Sequence, residues 1–260
     1  MKRAILALSG GLDSTSLLLH LLHNKYEVRC YLFNYGQKHV FELERAQKNI
    51  DYLFQFFGYS VFCKVIDLKS VFEESGSALI NKDVKVPEGH YEQVNMKDTV
   101  VENRNAIFAA ILYSKALGWA NQIKDKVEIC LGIHKGDHAI YPDCRKESRD
   151  ALAEAFRVSN WGSENIDYYT PFLDYDKFGI LKEASNICDT EMIDFERIFE
   201  NTNTCYQPSI LGYACGKCGS CVERVQAFLL LGQPDPVCYM NGWEETVNSV
   251  RETLSKQDKK

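Results

Sequence analysis

A five-residue apolar run, Ala4-Ile5-Leu6-Ala7-Leu8, breaks into Ser9-Gly10-Gly11-Leu12-Asp13-Ser14, after which Leu17, Leu18, Leu21 and Leu22 recur at helical spacing as far as His23. An apolar strand passing through paired glycines into a helix suits a parallel sheet covered by helices on both faces. The same alternation continues down the chain. Val28 to Phe33 reads as a second strand, Val40 to Phe57 as a helix with Leu43, Ile50 and Leu53 on one side, and Ser60 to Ile66 as a third strand. Asn105 to Leu117 is a strong helix, and Val127 to Ile133 a fourth strand closing around Gly132. Strands alternating with helices predict an α/β fold with a mostly parallel sheet. Ligands of such sheets sit beyond the carboxyl ends of the strands. Residues 67–98 are polar and weakly patterned, a long excursion expected to order around a ligand.

Beyond residue 200 the apolar periodicity gives way to Thr, Asn, Gly and Cys. Cys205, Cys215, Cys218 and Cys221 form a C-x9-C-x2-C-x2-C run, with Gly216 and Gly219 permitting tight turns. Four thiolates suit tetrahedral zinc in a closed, structural site. An iron–sulfur cluster takes the same donors and would colour the protein. The division expected is a core over 1–200 and a metal-stabilised module with a terminal helix over 201–260. Trp243, Val247, Val250 and Leu254 mark that helix, with a frayed tip in the charged end 256–260. Of the ten cysteines, Cys30, Cys63, Cys130, Cys188 and Cys238 stand singly among apolar neighbours and read as core residues. The apolar start is too short for a signal peptide, and no stretch approaches the ~20 apolar residues of a membrane span. A cytoplasmic protein with reduced thiols is the expectation. The net charge of -6 argues against a broad nucleic-acid-binding face.

The glycine pair lets backbone N–H groups close on an anion at a helix N-terminus, with Ser9 and Ser14 adding hydroxyls. Its spacing fits neither a Walker loop nor a dinucleotide fingerprint. S-G-G-x-D-S leaving the first strand instead resembles the pyrophosphate loop of the ATP-pyrophosphatase superfamily. That resemblance implies cleavage of ATP between its α and β phosphates, with AMP passing to a carboxylate or amide oxygen. Pyrophosphate would lie on the loop beside Mg²⁺, and Asp13 would orient the metal or a ligand water.

Further stretches extend the likeness: FNYGQKH at 33–39, ENRN at 102–105, YPDCR at 141–145, TCY at 204–206 and CGKCGSC at 215–221. Together, in order and over nearly the whole chain, they resemble the 7-cyano-7-deazaguanine synthase family of queuosine biosynthesis. The resemblance implies an adenine-nucleotide α-hydrolase-like fold, a homodimer, and one structural Zn²⁺ on Cys205, Cys215, Cys218 and Cys221. It implies an ATP-dependent ligase that adenylates 7-carboxy-7-deazaguanine, adds ammonia to give the amide, and dehydrates the amide with a second ATP. Leu8, Ser9, Gly10, Gly11, Leu12, Asp13, Ser14, Phe33 and Gly132 would then contact ATP. Asp13, Lys38, His39, Arg104, Asp143, Arg145 and Lys177 would form the catalytic set. Lys38 and His39 would meet phosphate or carboxylate oxygens, Lys177 would contact phosphate, and Arg104 would bind a carboxylate or phosphate bidentately. Asp143 and Arg145 would offer an acceptor and a donor fork to the purine-like edge.

Three places depart from the family pattern. Val101-Glu102-Asn103-Arg104-Asn105 stands for Val-Pro-x-Arg-Asn, Ala139-Ile140 for Ser-Gly, and Lys177-Phe178-Gly179-Ile180 for Lys-Ala-Glu-Ile. These changes are compatible with a second acceptor, the amine of a partner protein, as in antiphage-defence relatives. A tRNA-modifying enzyme is disfavoured by the acidity, since phosphate contacts dominate RNA affinity. A catalytically silent zinc-binding subunit is disfavoured by the intact loop.

Overall fold

The structure is a computed structural model that describes residues 1–257, with all side chains in that range except those of Asp137 and Ala139. Its strands are β1 (Arg3–Ala7), β2 (Glu27–Asn34), β3 (Phe62–Asp67), β4 (Val127–Cys130) and β5 (Ile166–Tyr169). Its helices are α1 (Leu12–His23), α2 (Phe41–Phe57), α3 (Lys69–Phe72), α4 (Arg104–Ile123) and α5 (Lys146–Ser159). They continue with α6 (Lys177–Glu191), α7 (Phe195–Glu200), α8 (Gly219–Leu231) and α9 (Trp243–Gln257). The five strands are all parallel, in the order β3-β2-β1-β4-β5. β1 is central, pairing Ala4 with Val28 on one side and with Glu128 on the other. The direction of strand order reverses there, which opens a crevice at the exit of β1 where ligands of such sheets bind.

Burial on both faces explains the apolar run: Ala4, Ile5 and Leu6 have no exposed surface. Leu6 packs with Leu17 and Leu18 of α1, Ile180 and Ala184 of α6 and Phe228 of α8. Ile5 packs on the opposite face with Leu112, Ala116 and Trp119 of α4. A third cluster joins Cys205, Cys218 and Cys221 to Val222 and Val225 of α8 and Val247 and Val250 of α9. Helix α8 therefore serves two cores, one with the sheet and one with the cysteine segment.

The predicted parallel sheet is present, with instructive differences at its edges. β4 stops at Cys130 because the next residues leave the sheet; a Cβ on Gly132 would sit 3.3 Å from Ser14 N at the start of α1. α4 runs on to Ile123 because Trp119 and Ala120 are still buried on the sheet. β5 and the amphipathic α5 and α6 lie in a stretch for which the sequence suggested no elements. α6 starts where Asp176 accepts a hydrogen bond from Gly179 N at 2.7 Å, an ordinary N-cap. The excursion after β3 holds α3 and a 3₁₀ turn at Val94–Thr99, and the chain itself secures it. Lys38 N donates to Leu79 O at 2.9 Å, Ala78 N to Asp98 O at 2.7 Å, and Gly89 N to Lys217 O at 2.9 Å.

Cys30, Cys130 and Cys188 are buried and Cys63 is half-buried, but Cys238 is exposed, so apolar sequence neighbours misplace it in the core. The terminal helix is present and buries Val247 and Val250; the frayed tip beyond Gln257 lies outside the described residues. No helix among the described residues is long and apolar enough to cross a membrane.

Candidate active site

The loop leaving β1 is held by its own serines. Ser9 N donates to Ser14 Oγ at 3.2 Å, the two hydroxyls lie 2.9 Å apart, and Gly11 N donates to Ser9 Oγ at 3.1 Å. Gly10 has φ +87°, and a Cβ there would fall 2.1 Å from the backbone oxygen of Glu42. Both conformation and contact require glycine. Gly10 O also accepts from Asn203 N at 2.9 Å, so a strap of residues from the cysteine segment is bonded directly to the loop. If the loop takes ATP, Gly10→Ala is expected to weaken its binding at least about fivefold, because the left-handed conformation alone costs roughly 1–2 kcal/mol. Equilibrium titration with Mg-ATP checks this, and near-normal affinity would contradict a tight loop.

A cavity of about 270 Å³ opens above the loop. Of the predicted residues, Leu8, Ser9, Gly11, Asp13, Ser14, Phe33, Gly132, His39, Arg104 and Asp143 line it. Gly10 shapes the loop from behind, and Leu12 is wholly buried in the core. Lys38 lies outside the lining: its ammonium donates to Val84 O at 2.6 Å, pointing away from its neighbour His39. Arg145 also lies outside, donating from Nε to His138 O at 2.9 Å. Phe33 stacks on Phe108 with ring centroids 4.0 Å apart, so one of its faces is already covered.

Lys177 is buried, and it meets Asp13 of the loop rather than the large cavity. Its ammonium lies 2.8 and 3.0 Å from the two carboxylate oxygens of Asp13 and 3.2 Å from Glu223 Oε2. His134, also buried, lies 3.3 Å from the same ammonium and 3.7 Å from Asp13 Oδ2. Burial pushes the Asp13 carboxyl up, but Lys177 and His134 outweigh it and hold Asp13 below the usual carboxylate range. This cluster walls a smaller cavity of about 70 Å³ that shares Asp13, Tyr141, Tyr206 and Ser220 with the large one.

Arg104 enters from the first turn of α4, after Asn103 in a left-handed conformation (φ 55°). Its Nη1 donates to the Tyr35 hydroxyl at 3.3 Å and its Nε to Asn105 Oδ1 at 3.1 Å, both neutral groups. No carboxylate pairs with it among the described residues. A cation enclosed this way is expensive unless an anion joins it. Beneath it, Tyr35, His39 and Glu42 line the same cavity. Burial pushes the Tyr35 phenol up to about 12 and the Glu42 carboxyl up to about 8. Burial, with Arg104 nearby, lowers His39 to about 3, which leaves a neutral imidazole at neutral pH. His39 Nδ1 and Asp143 Oδ1 are buried without a hydrogen bond.

Sequence reasoning passed over Tyr35, Glu42, His134 and Glu223. Tyr35 lies inside the FNYGQKH stretch, and Glu42 follows it by three residues; His134 and Glu223 carry no local signal. Tyr141 and Tyr206, inside quoted motifs, meet hydroxyl to hydroxyl at 3.2 Å, and Thr99 Oγ1 lies 2.6 Å from Tyr141.

The four predicted metal ligands come together, with their sulfur atoms all within 4.8 Å of one another. All ten cysteines are free thiols. Peptide N–H groups of Gln207 and Cys215 point at Cys205 Sγ, 3.3 and 3.2 Å away, and those of Lys217 and Cys218 at Cys215 Sγ, both 3.4 Å away. Such N–H···S contacts favour thiolates, so the donor set fits a four-sulfur metal site.

A sequence profile of the family described as queuosine biosynthesis protein QueC matches residues 3–232. The chain is 40% identical over 240 residues to 7-cyano-7-deazaguanine synthase 2 of Colwellia psychrerythraea, covering 92% of this chain and 99% of that protein. It is 39% identical over 237 residues to 7-cyano-7-deazaguanine synthase of Hahella chejuensis, covering 91% and 93%. To the protein of the same name from Methanoregula boonei it is 37% identical over 237 residues, covering 91% and 99%.

Proposed function

Since the chain belongs to the queuosine biosynthesis protein QueC family, we propose that it makes 7-cyano-7-deazaguanine from 7-carboxy-7-deazaguanine with ATP and ammonia. ATP adenylates the carboxylate and releases pyrophosphate; ammonia displaces AMP to give the amide; a second ATP activates the amide oxygen, and loss of AMP leaves the nitrile. The observation that carries this reading is Arg104, a half-buried cation without a carboxylate partner among the described residues, in one cavity with an intact pyrophosphate loop. An anionic substrate next to a triphosphate supplies the missing charge. The loop from Ser9 to Ser14 would hold pyrophosphate at the α1 N-terminus, and Arg104 the carboxylate being activated. Asp13, set by Lys177 and His134, would address the Mg²⁺ that accompanies ATP.

Cys205, Cys215, Cys218 and Cys221 would hold Zn²⁺, which supplies a structural cross-link there. In this reading residues 1–200 carry the nucleotide, residues 201–260 brace the loop, and the chain works in the cytosol as a homodimer. The departures at Glu102, Ala139-Ile140 and Phe178-Gly179 are compatible with one second reading, transfer of the activated acid to an amine of a partner protein. One incubation separates the two. With ATP, the acid and ammonia, nitrile is the expected product by mass spectrometry. Adenylation and AMP release without nitrile would overturn the first reading and direct attention to a protein acceptor.

A further inference from the structure

Glu42 is a buried carboxyl on the floor of the nucleotide cavity, and the groups around it do not neutralise a carboxylate. It belongs to the first turn of α2, its backbone oxygen lies where a Cβ on Gly10 would fall, and the residue lines the cavity together with Ser9, Gly11 and Ser14. From the loop before α2, Gln37 Nε2 donates to Glu42 Oε1 at 3.0 Å, and His39 Nε2 lies 3.6 Å from the same oxygen. From the end of β2, Tyr35 adds a phenol, and from the cysteine segment Tyr206 covers His39 with its ring, 5.8 Å between centroids. From α4, Arg104 is the one cation among the described residues that acts on Glu42, and it is engaged with Tyr35 and Asn105 rather than with this carboxyl. Oε2 makes no hydrogen bond with any described residue.

Two effects compete on the proton. The N-terminal end of α2 and the Arg104 charge favour the carboxylate, while desolvation favours the acid. Helix ends contribute a small term, whereas full burial moves a carboxyl by several pH units, so desolvation wins. The carboxyl accordingly stands at about 8. An ionised Glu42 beside a triphosphate would add repulsion where the loop offers only backbone N–H groups and hydroxyls.

We propose that Glu42 meets the nucleotide as a neutral carboxylic acid, donating a hydrogen bond to an anionic phosphate oxygen, and that ATP binding is coupled to proton uptake at this residue. The proposal rests on the reading that ATP occupies this loop, and gives that site a donor drawn from an acidic side chain. An apolar pocket that keeps a carboxylic acid protonated at neutral pH, so that it can donate, is an established physical device.

The sign follows from the raised pKa. Below about pH 8 the proton is already present and affinity is flat. Above it, binding must recruit a proton, and affinity falls by up to about tenfold per pH unit. The test is calorimetric titration of the full-length chain with Mg²⁺-saturated ATP from pH 6.5 to 9.5, in buffers of different ionisation enthalpy. Wild type is expected to take up close to one proton per ATP at pH 9 and none at pH 6.5. Glu42→Gln, which keeps a donor but cannot titrate, is expected to lose the uptake and flatten the affinity profile. Glu42→Ala, without a donor, is expected to weaken binding at every pH. The chain without nucleotide supplies a second readout. The folded state holds a proton that the unfolded state releases above its ordinary carboxyl pKa, so wild type should lose melting temperature between pH 5 and 8 relative to Glu42→Gln. Binding without proton uptake, or an unchanged pH profile in Glu42→Gln, overturns the proposal alone. Failure of wild type to bind ATP at any pH overturns the nucleotide reading and the proposal together.

Discussion

Arg104→Ala is expected to lower kcat/KM for the carboxylate substrate by about 1000-fold, and Arg104→Lys by about 100-fold, with the fold intact. Removing one well-placed donor from a charge-stabilising site costs on the order of 100- to 1000-fold in rate. Lysine keeps the charge but lacks the planar fork, so it recovers only part of the loss. The same substitution should have an opposite effect on stability. A half-buried guanidinium held by the neutral groups of Tyr35 and Asn105 and by the Phe108 ring is a burden on the ligand-free chain. Arg104→Met should therefore melt at or above the wild-type temperature while losing activity, the signature of a residue kept for its ligand. Pyrophosphate exchange dependent on the acid measures the first effect and calorimetry the second. Activity within threefold of wild type in Arg104→Ala would remove Arg104 from the site.

The second large effect belongs to a buried ion pair that lies behind the cavity wall and reaches it through Thr204. Arg224 of α8 donates from Nε to Asp235 Oδ2 at 2.6 Å and from Nη2 to Oδ1 at 2.8 Å, and both side chains are essentially inaccessible. Val237 N and the Tyr239 hydroxyl complete the coordination of Asp235. The second edge of the guanidinium binds Thr202 and Thr204 at 2.8 and 2.9 Å. Asp235→Ala leaves that cation uncompensated, and breaking such a pair costs about 3–5 kcal/mol. At this chain length that is roughly 10 °C in melting temperature. The double variant Arg224→Met with Asp235→Leu should recover most of the loss, because a buried pair replaced by apolar residues is often neutral. A loss below about 1 kcal/mol in Asp235→Ala would show that the fork is dispensable. Thr202 and Thr204 flank Asn203, so ATP affinity should fall along with stability in the single variant.

What could be read from the chain, and what could not, follows the range of the interactions involved. Ser9-Gly10-Gly11-Leu12-Asp13-Ser14 and the C-x2-C-x2-C run are legible because each works within a few residues, through backbone conformation or ligand spacing. β1, β2 and β4 are legible because burial makes them largely apolar, whereas β3, mostly exposed at the sheet edge, is announced only by Phe62, Cys63, Val65 and Ile66. β5 is four residues long at the edge of the sheet and reads Ile166-Asp167-Tyr168-Tyr169, with only Ile166 buried, so no apolar run announces it. Lys38 and His39 adjoin in sequence, yet one faces Val84 and the other the cavity; adjacency cannot tell them apart. Lys177 was expected on phosphate, but three partners far away in sequence, Asp13, His134 and Glu223, hold it. Glu42 sits in the first turn of an amphipathic helix with no local signal, and only the fold brings it into one cavity with the glycine loop.

The bond from Asn203 N to Gly10 O has a further implication for how the protein is made. The strand and loop that would grip ATP leave the ribosome well ahead of the partner that completes the loop, which is nearly two hundred residues behind. A nascent chain halted before the strap emerges carries Gly10 with an unsatisfied carbonyl and no Asn203, Thr204 or Tyr206 to close the pocket. If the loop takes ATP, full competence for it would require the cysteine segment to have folded back onto the loop.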